Sequence, residues 1–317
     1  MLPDLRKMWS GFPRLPFNRW TIRPIRWLTS LMPTSGSLED IRIHDTLAQS
    51  GDSKPDVMLR IYQPEDISEP VPALLWMHGG GLVIGNAKME DAYLLKFVRD
   101  LGIVVISVDY RLAPDHPYPA AIHDCYTALK WVHSQAARLR IDPERIAIGG
   151  ESAGGGLAAS LAHLAHDRGE VTPAFQLLVY PMLDDRSALR TDLPYASLMI
   201  WTPEDNRFGW ESYLQCPAGA EAAPPYAVPA RRSDLTGLPP AWIGVGTLDL
   251  FYEEDVAYAE RLDRSGVECE LVVVDGAFHG FDIVGRTLPL ARDFRDAQVA
   301  ALRRGLSIEQ EVARGQC

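Results

Sequence analysis

Eight short apolar runs, separated by stretches of helical periodicity, limit what this chain can fold into more than any other feature. From residue 41 they read IRIH, VMLRIY, ALLWMH, IVVISV, RIAIG, FQLLVY, AWIGVG and ECELVVV. The first two and the last alternate polar and apolar residues in part, as half-exposed or edge strands do. The middle runs are apolar almost throughout, which suits strands covered on both faces inside a parallel sheet. Between them, DAYLLKFVRD, AAIHDCYTALKWVHSQAARL, AGGGLAASLAHLAHD and EEDVAYAERLDRSG carry apolar residues at helical spacing. Strands alternating with helices predict an α/β domain with a doubly wound sheet, led by antiparallel strands.

Two segments break the alternation. Residues 1–40 place Trp9, Trp20 and Trp27 among basic side chains. Such a stretch can lie on a membrane surface, although amphipathic helices packed over the domain are the expected form. Residues 185–225 contain TPEDNRFGWESYL, which reads as a helix with Thr202 as N-cap, Pro203 at its first position and Asp205 at its third. Its face of Phe208, Trp210 and Leu214 must cover something. The expected organisation is a core of residues 41–184 and 226–317, with a cap made from 1–40 and the insertion 185–225.

Charge and cysteine content narrow the function. The 317 residues carry a net charge of −11, which disfavours broad attraction to nucleic acid or anionic membrane. Cys125, Cys216, Cys269 and Cys317 are widely spaced without a CxxC, as expected in a reducing compartment. No run has the length of a membrane span and the N-terminus lacks a signal-peptide core, so the expectation is a soluble, cytoplasmic protein.

The chemistry centres on GGESAGGG, residues 149–156. Gly150-Glu151-Ser152-Ala153-Gly154 matches G-x-S-x-G, between an expected strand and an expected helix. A serine on that sharp turn sits in strained backbone, so its neighbours must be small. The helix behind it offers amides and a positive dipole end to a developing anion. A dinucleotide loop would also use Gly154, Gly156 and Ala159, but its first glycine should make the turn, which here is spent before Ser152.

A serine needs a base, and the base needs an orienting acid. His279 in GAFHGFD and Asp249 in GVGTLDL each follow a strand, as Ser152 does, and the carboxyl end of a parallel sheet is where α/β enzymes place their sites. The order Ser152, Asp249, His279 is that of an α/β-hydrolase. His123, His133, His163 and His166 fall inside expected helices. Glu254 and Asp255 do likewise, and Asp282 lies too near His279 along the chain to orient it easily. His78-Gly79-Gly80-Gly81 follows a strand, and bare glycines leave amides free to meet an alkoxide, as does Ala153 after the serine.

With HGGG at 78–81, DYRLAPDHPYPAAIHD at 109–124, GESAGG at 150–155, YPMLD at 180–184 and HGF at 279–281, the chain resembles the hormone-sensitive lipase-like esterases, bacterial family IV of the α/β-hydrolases. The resemblance implies an α/β-hydrolase fold, with a mostly parallel eight-stranded sheet and a helical cap, and a carboxylesterase for short acyl chains. It implies Ser152 as nucleophile, His279 as base and Asp249 as orienter. Gly80, Gly81 and Ala153 would form the oxyanion hole, with Gly79 shaping its turn and His78 bracing the loop. Asp109 and Arg111 would tie loops beneath the site. Leu82, Glu151, Trp201 and Phe281 are the residues expected to border the substrate, and Leu82 stands where the family usually has an aromatic. No metal or organic cofactor is expected. The expected partner is a small ester, and similarity to proteins that often dimerise implies a homodimer, with ECELVVV as the pairing strand. An amidase or arylformamidase with the same triad remains open. A hormone receptor on this fold would lack the histidine that His279 supplies.

Overall fold

All eight apolar runs become strands of a single sheet. The computed structural model describes residue 5 and residues 17–31, 38–51, 55–191 and 200–309. Its strands are β1 (Ile41–Ala48), β2 (Val57–Pro64), β3 (Val71–Met77), β4 (Val104–Asp109), β5 (Ile141–Glu151), β6 (Phe175–Val179), β7 (Ala241–Gly246) and β8 (Cys269–Val274). They lie in the order β1-β2-β4-β3-β5-β6-β7-β8. β1 runs antiparallel to β2 and β2 antiparallel to β4, and every later pairing is parallel.

Composition explains the order. β3, β4, β6 and β7 are the runs without polar alternation, and their residues are buried with few exceptions. Helices cover them on both faces, so neither face could carry a charge without stranding it. β8 alternates and takes the open edge, where Val273 is 41% exposed.

Among the described residues, seven main helices complete the layers: α1 (Ile22–Ser30), α2 (Asp91–Leu101), α3 (Ala120–Ser134), α4 (Ala153–Arg168), α5 (Pro203–Leu214), α6 (Tyr252–Arg264) and α7 (Pro289–Gly305). The pattern from Ala120 to Leu139 is not one helix. It stops after Ser134 and resumes for one turn at Ala136–Leu139, before Arg140 turns left-handed at φ 56°. α4 packs at the middle of the sheet, and Gly154 shows why small residues crowd its start. A β-carbon there would overlap the Met77 and His78 carbonyls of β3 and its loop.

α5 begins as its residues require. Thr202 accepts the Asp205 amide, Asp205 reaches back to the Thr202 amide, and Pro203 holds the first position. Trp210 and Leu214 are buried, and Phe208 is half-buried. The N-terminal stretch meets this helix, since the Phe17 amide donates to Asp205 Oδ1 at 3.0 Å and the Phe17 ring lies 5.4 Å from that of Trp201. α1 is pinned by Ile22, which is buried, and by Arg26, which donates to the Val83 and Ala113 carbonyls and pairs with Asp115. Trp27 and Leu28 of this helix do not pack inward, being 65% and 63% exposed, and Trp20 just before it is 88% exposed. Trp9, residues 192–199 of the insertion and Cys317 lie outside the described residues.

Candidate active site

Ser152 stands on the turn between β5 and α4 with φ 55° and ψ −121°, a left-handed conformation that costs a residue with a β-carbon of order 1–3 kcal/mol. The turn is held on both sides. Ser152 donates its amide to the Val179 carbonyl at 2.9 Å, and its carbonyl accepts the Met182 amide at 2.9 Å. The strained residue therefore sits between the ends of β5 and β6, at the carboxyl edge of the sheet.

His279 and Asp249 reach the same edge from loops after β8 and β7. His279 Nε2 lies 2.9 Å from Ser152 Oγ, and His279 Nδ1 lies 2.8 Å from Asp249 Oδ2. Asp249 Oδ1 accepts the Phe251 amide at 2.9 Å, so both carboxylate oxygens are engaged. The imidazole is clamped by rings: Phe251 meets it edge-on at 5.0 Å and Tyr180 at 4.8 Å. All three polar side chains are buried. Charge inside such a site is screened far less than in water.

The glycine loop leaves β3 beside this row. Gly80 (φ 116°) and Gly81 (φ 60°) adopt conformations that favour glycine, and a β-carbon on Gly81 would overlap the Trp201 ring. The amides of the loop differ in their commitments. That of Gly79 donates to Glu90 Oε1 at 3.0 Å, so it is not free for a bound oxyanion. Those of Gly80 and Gly81 have no acceptor among the described residues. The Ala153 amide opens α4, where a helix leaves its first N–H groups unpaired. His78 is buried, stacks on Tyr110 at 4.2 Å and sets Nδ1 2.7 Å from the Gly79 carbonyl. Burial lowers its pKa, which favours the neutral ring.

Below the loops, Arg111 grips Asp124 with Nε and a terminal nitrogen, and Asp109 accepts the Ala87 amide at 3.0 Å. His163 is buried against the Tyr258 hydroxyl at 2.8 Å, and burial pushes its pKa down to about 3.

The residues expected to border the substrate divide. Trp201 packs on Gly81 and donates Nε1–H to Asn206 at 3.2 Å. Leu82 is buried in the loop at φ 66°. Glu151 and Phe281 need correction. Glu151 is buried behind the glycine loop, in a side-chain hydrogen bond with Glu90, because β5 turns it away from the serine's side. Phe281 is fully buried with its ring 4.9 Å from that of Phe294, since the short helix Phe281–Val284 sends it into the core.

A model of the alpha/beta hydrolase fold matches residues 74–283. The chain belongs to this family, in its hormone-sensitive lipase-like branch of carboxylesterases. This α/β-hydrolase is 35% identical over 272 residues to the carboxylesterase NlhH of Mycobacterium tuberculosis, covering 85% of this chain and 84% of that one. It is 33% identical over 289 residues to the esterase LipI of the same species, covering 89% and 88%. Among solved structures it is similar to a bacterial heroin esterase, with a TM-score of 0.88, 36% identity and 96% and 98% of the two chains covered.

Sequence reading of this α/β-hydrolase missed the carboxyl groups behind the loop. Glu90 accepts the Trp76 indole N–H as well as the Gly79 amide. Tyr180 sets its hydroxyl 2.9 Å from Asp282 Oδ1 and 3.3 Å from Glu151 Oε2. Asp255, at the start of α6, is fully buried, and neither carboxyl oxygen has a hydrogen-bond partner among the described residues. Nothing in the sequence around Glu90 or Asp255 marks it as buried, and only tertiary contact distinguishes these acids from surface ones.

Proposed function

We propose that the protein is a serine carboxylesterase that cleaves esters of short to medium acyl chains through a covalent acyl-enzyme. The observation that carries this reading is the unbroken row from Ser152 Oγ through His279 to Asp249, at 2.9 and 2.8 Å.

A carboxylate can only accept, so Asp249 fixes the imidazole proton on Nδ1 and leaves Nε2 free to take one. Ser152 Oγ attacks the ester carbonyl as its proton passes to His279 Nε2. The carbonyl oxygen becomes an anion in front of Gly80, Gly81 and Ala153, whose amides donate to it. Donors of this kind contribute about 3–4 kcal/mol each to the barrier reduction, because they are in place before the charge appears. The imidazolium, held by Asp249, then protonates the leaving alcohol. Water, deprotonated by His279, attacks the acyl-Ser152 carbonyl, and collapse releases the acid and restores the serine.

Residues 1–40 and 185–225 form a two-part cap in this reading, supported by the contacts of Phe17 with Asp205 and Trp201. Trp201 and Leu82 then border the acyl pocket. Among the described residues no helix is long and apolar enough to cross a membrane, and the free thiols of Cys125, Cys216 and Cys269 support a cytoplasmic setting. The open edge of β8 supports a homodimer, which sedimentation of the wild type against Val273→Lys would test.

Turnover of p-nitrophenyl esters from acetyl to palmitoyl by the wild type and by Ser152→Ala tests the main reading. Rapid hydrolysis of the short esters, abolished in the variant, is expected. Activity that survives Ser152→Ala would remove the serine from the mechanism.

A further inference from the structure

Directly behind the glycine loop, two carboxyl side chains meet in a buried, crowded space. Glu90 already accepts two protein donors, the Gly79 amide at 3.0 Å and the Trp76 indole N–H. Glu151, the residue before the serine, hydrogen-bonds to the same carboxylate, and its Oε1 would lie 3.1 Å from a β-carbon on Gly79. Two carboxylates in contact in an apolar interior cannot both be ionised. Glu90 acts as acceptor throughout, so the proton between them resides on Glu151.

The surroundings reinforce that assignment. Burial, the Glu90 charge and the Asp282 charge all push the Glu151 pKa well above the usual carboxylic range. Asp282, Tyr180 and Tyr93 present oxygens to this space. Arg295 presents the cation, 3.5 Å from Asp282 Oδ2 and over the Tyr93 ring. His78, held neutral by burial, and Asp109 lie on the Glu90 side. Tyr180 spans Glu151 and Asp282 and also packs on His279. The cluster therefore touches the glycine loop, the serine turn and the histidine loop at once.

We propose that Glu151 is a positioning residue: as a neutral acid it donates its proton to Glu90, and this bond, relayed through Gly79, holds the glycine loop in the shape that aims the Gly80 and Gly81 amides at the oxyanion. The inference rests on the acyl-enzyme reading, but it concerns residues that touch no substrate. Loss of the Glu151 proton would set two carboxylates against each other and push the loop away from the serine.

The test compares Glu151→Gln and Glu151→Leu with the wild type across the alkaline range in which each stays folded. Glutamine still donates to Glu90 but has no acidic proton to lose, whereas leucine does neither. The wild type is expected to lose kcat as Glu151 ionises, with KM little changed. Glu151→Gln should retain most of kcat and lack that alkaline decline. Glu151→Leu should lose kcat by about 10²–10³, the effect of removing one oxyanion donor. A structural role alone would lower thermal stability and leave the Gln and wild-type profiles superimposable. Superimposable profiles overturn the proposal, whether or not Glu151→Leu folds, and so does wild-type kcat in folded Glu151→Leu.

Stoichiometric labelling by a p-nitrophenyl phosphonate keeps the two readings apart. A wild type not labelled at Ser152 contradicts the acyl-enzyme mechanism. Labelling at Ser152 with indifferent Glu151 variants contradicts only the positioning role.

Discussion

Trp201 seats its indole on Gly81, where any β-carbon would overlap the ring. The contact joins the segment 185–225, proposed as part of a cap, to the loop proposed to hold the oxyanion. Gly81→Ala should therefore displace Trp201 and twist an amide out of line. Steady-state kinetics should show kcat lower by about 10²–10³, as for loss of one oxyanion donor, with the fold retained by circular dichroism.

Trp201→Ala tests the other side of that contact. The indole is buried against Gly81 and Phe17, so its removal opens space over the glycine loop. The ratio of kcat/KM for long over short acyl esters should rise. An unchanged ratio would place the acyl pocket elsewhere.

Asp249→Asn keeps the shape of the side chain but replaces an acceptor by an amide that can donate. His279 would then favour the wrong tautomer, with its proton on the nitrogen facing Ser152. A fall in kcat of about four orders of magnitude is expected, the scale of that substitution in a serine triad. KM should change little, because Asp249 does not meet the substrate.

Asp255 carries a stability prediction with a definite sign. Burial first, then the charges of Glu254 and Asp249, raise its pKa well above the ordinary value, so the folded state keeps a proton that the unfolded chain releases. Its contribution to stability is complete below the unfolded pKa and is lost as pH rises toward the folded pKa. Asp255→Ala should stabilise the protein at neutral pH by about 1–3 kcal/mol, the cost of an unpaired buried polar group. Urea melts across pH should also show a shallower decline for the variant.

The strands themselves, the serine turn and the placement of Ser152, Asp249 and His279 just past strand ends were legible because each depends on local pattern, whereas the order of the strands in the sheet does not. Apolar runs mark buried strands, and the polar residues just past their ends mark the sheet edge. The inward cluster was not legible, because Glu90, Glu151, Tyr180 and Asp282 come from four separate segments. Nothing local separates Glu90 in KMEDAY from a solvated acid. Phe281 misled through adjacency: two residues after His279 the backbone has turned into a helix, and its ring points to Phe294 instead. Gly79, expected to shape the turn, has its amide tied to Glu90, a partner that no local pattern announces.

Rapid-quench mass spectrometry during turnover of p-nitrophenyl acetate addresses the central claim most directly. The account predicts one acetyl group per chain, on the peptide that contains Ser152, forming in a burst with p-nitrophenol release and accumulating in the steady state. Full turnover with no acetyl group on Ser152 at any quench time, from a protein that still hydrolyses the ester after Ser152→Ala, would contradict it.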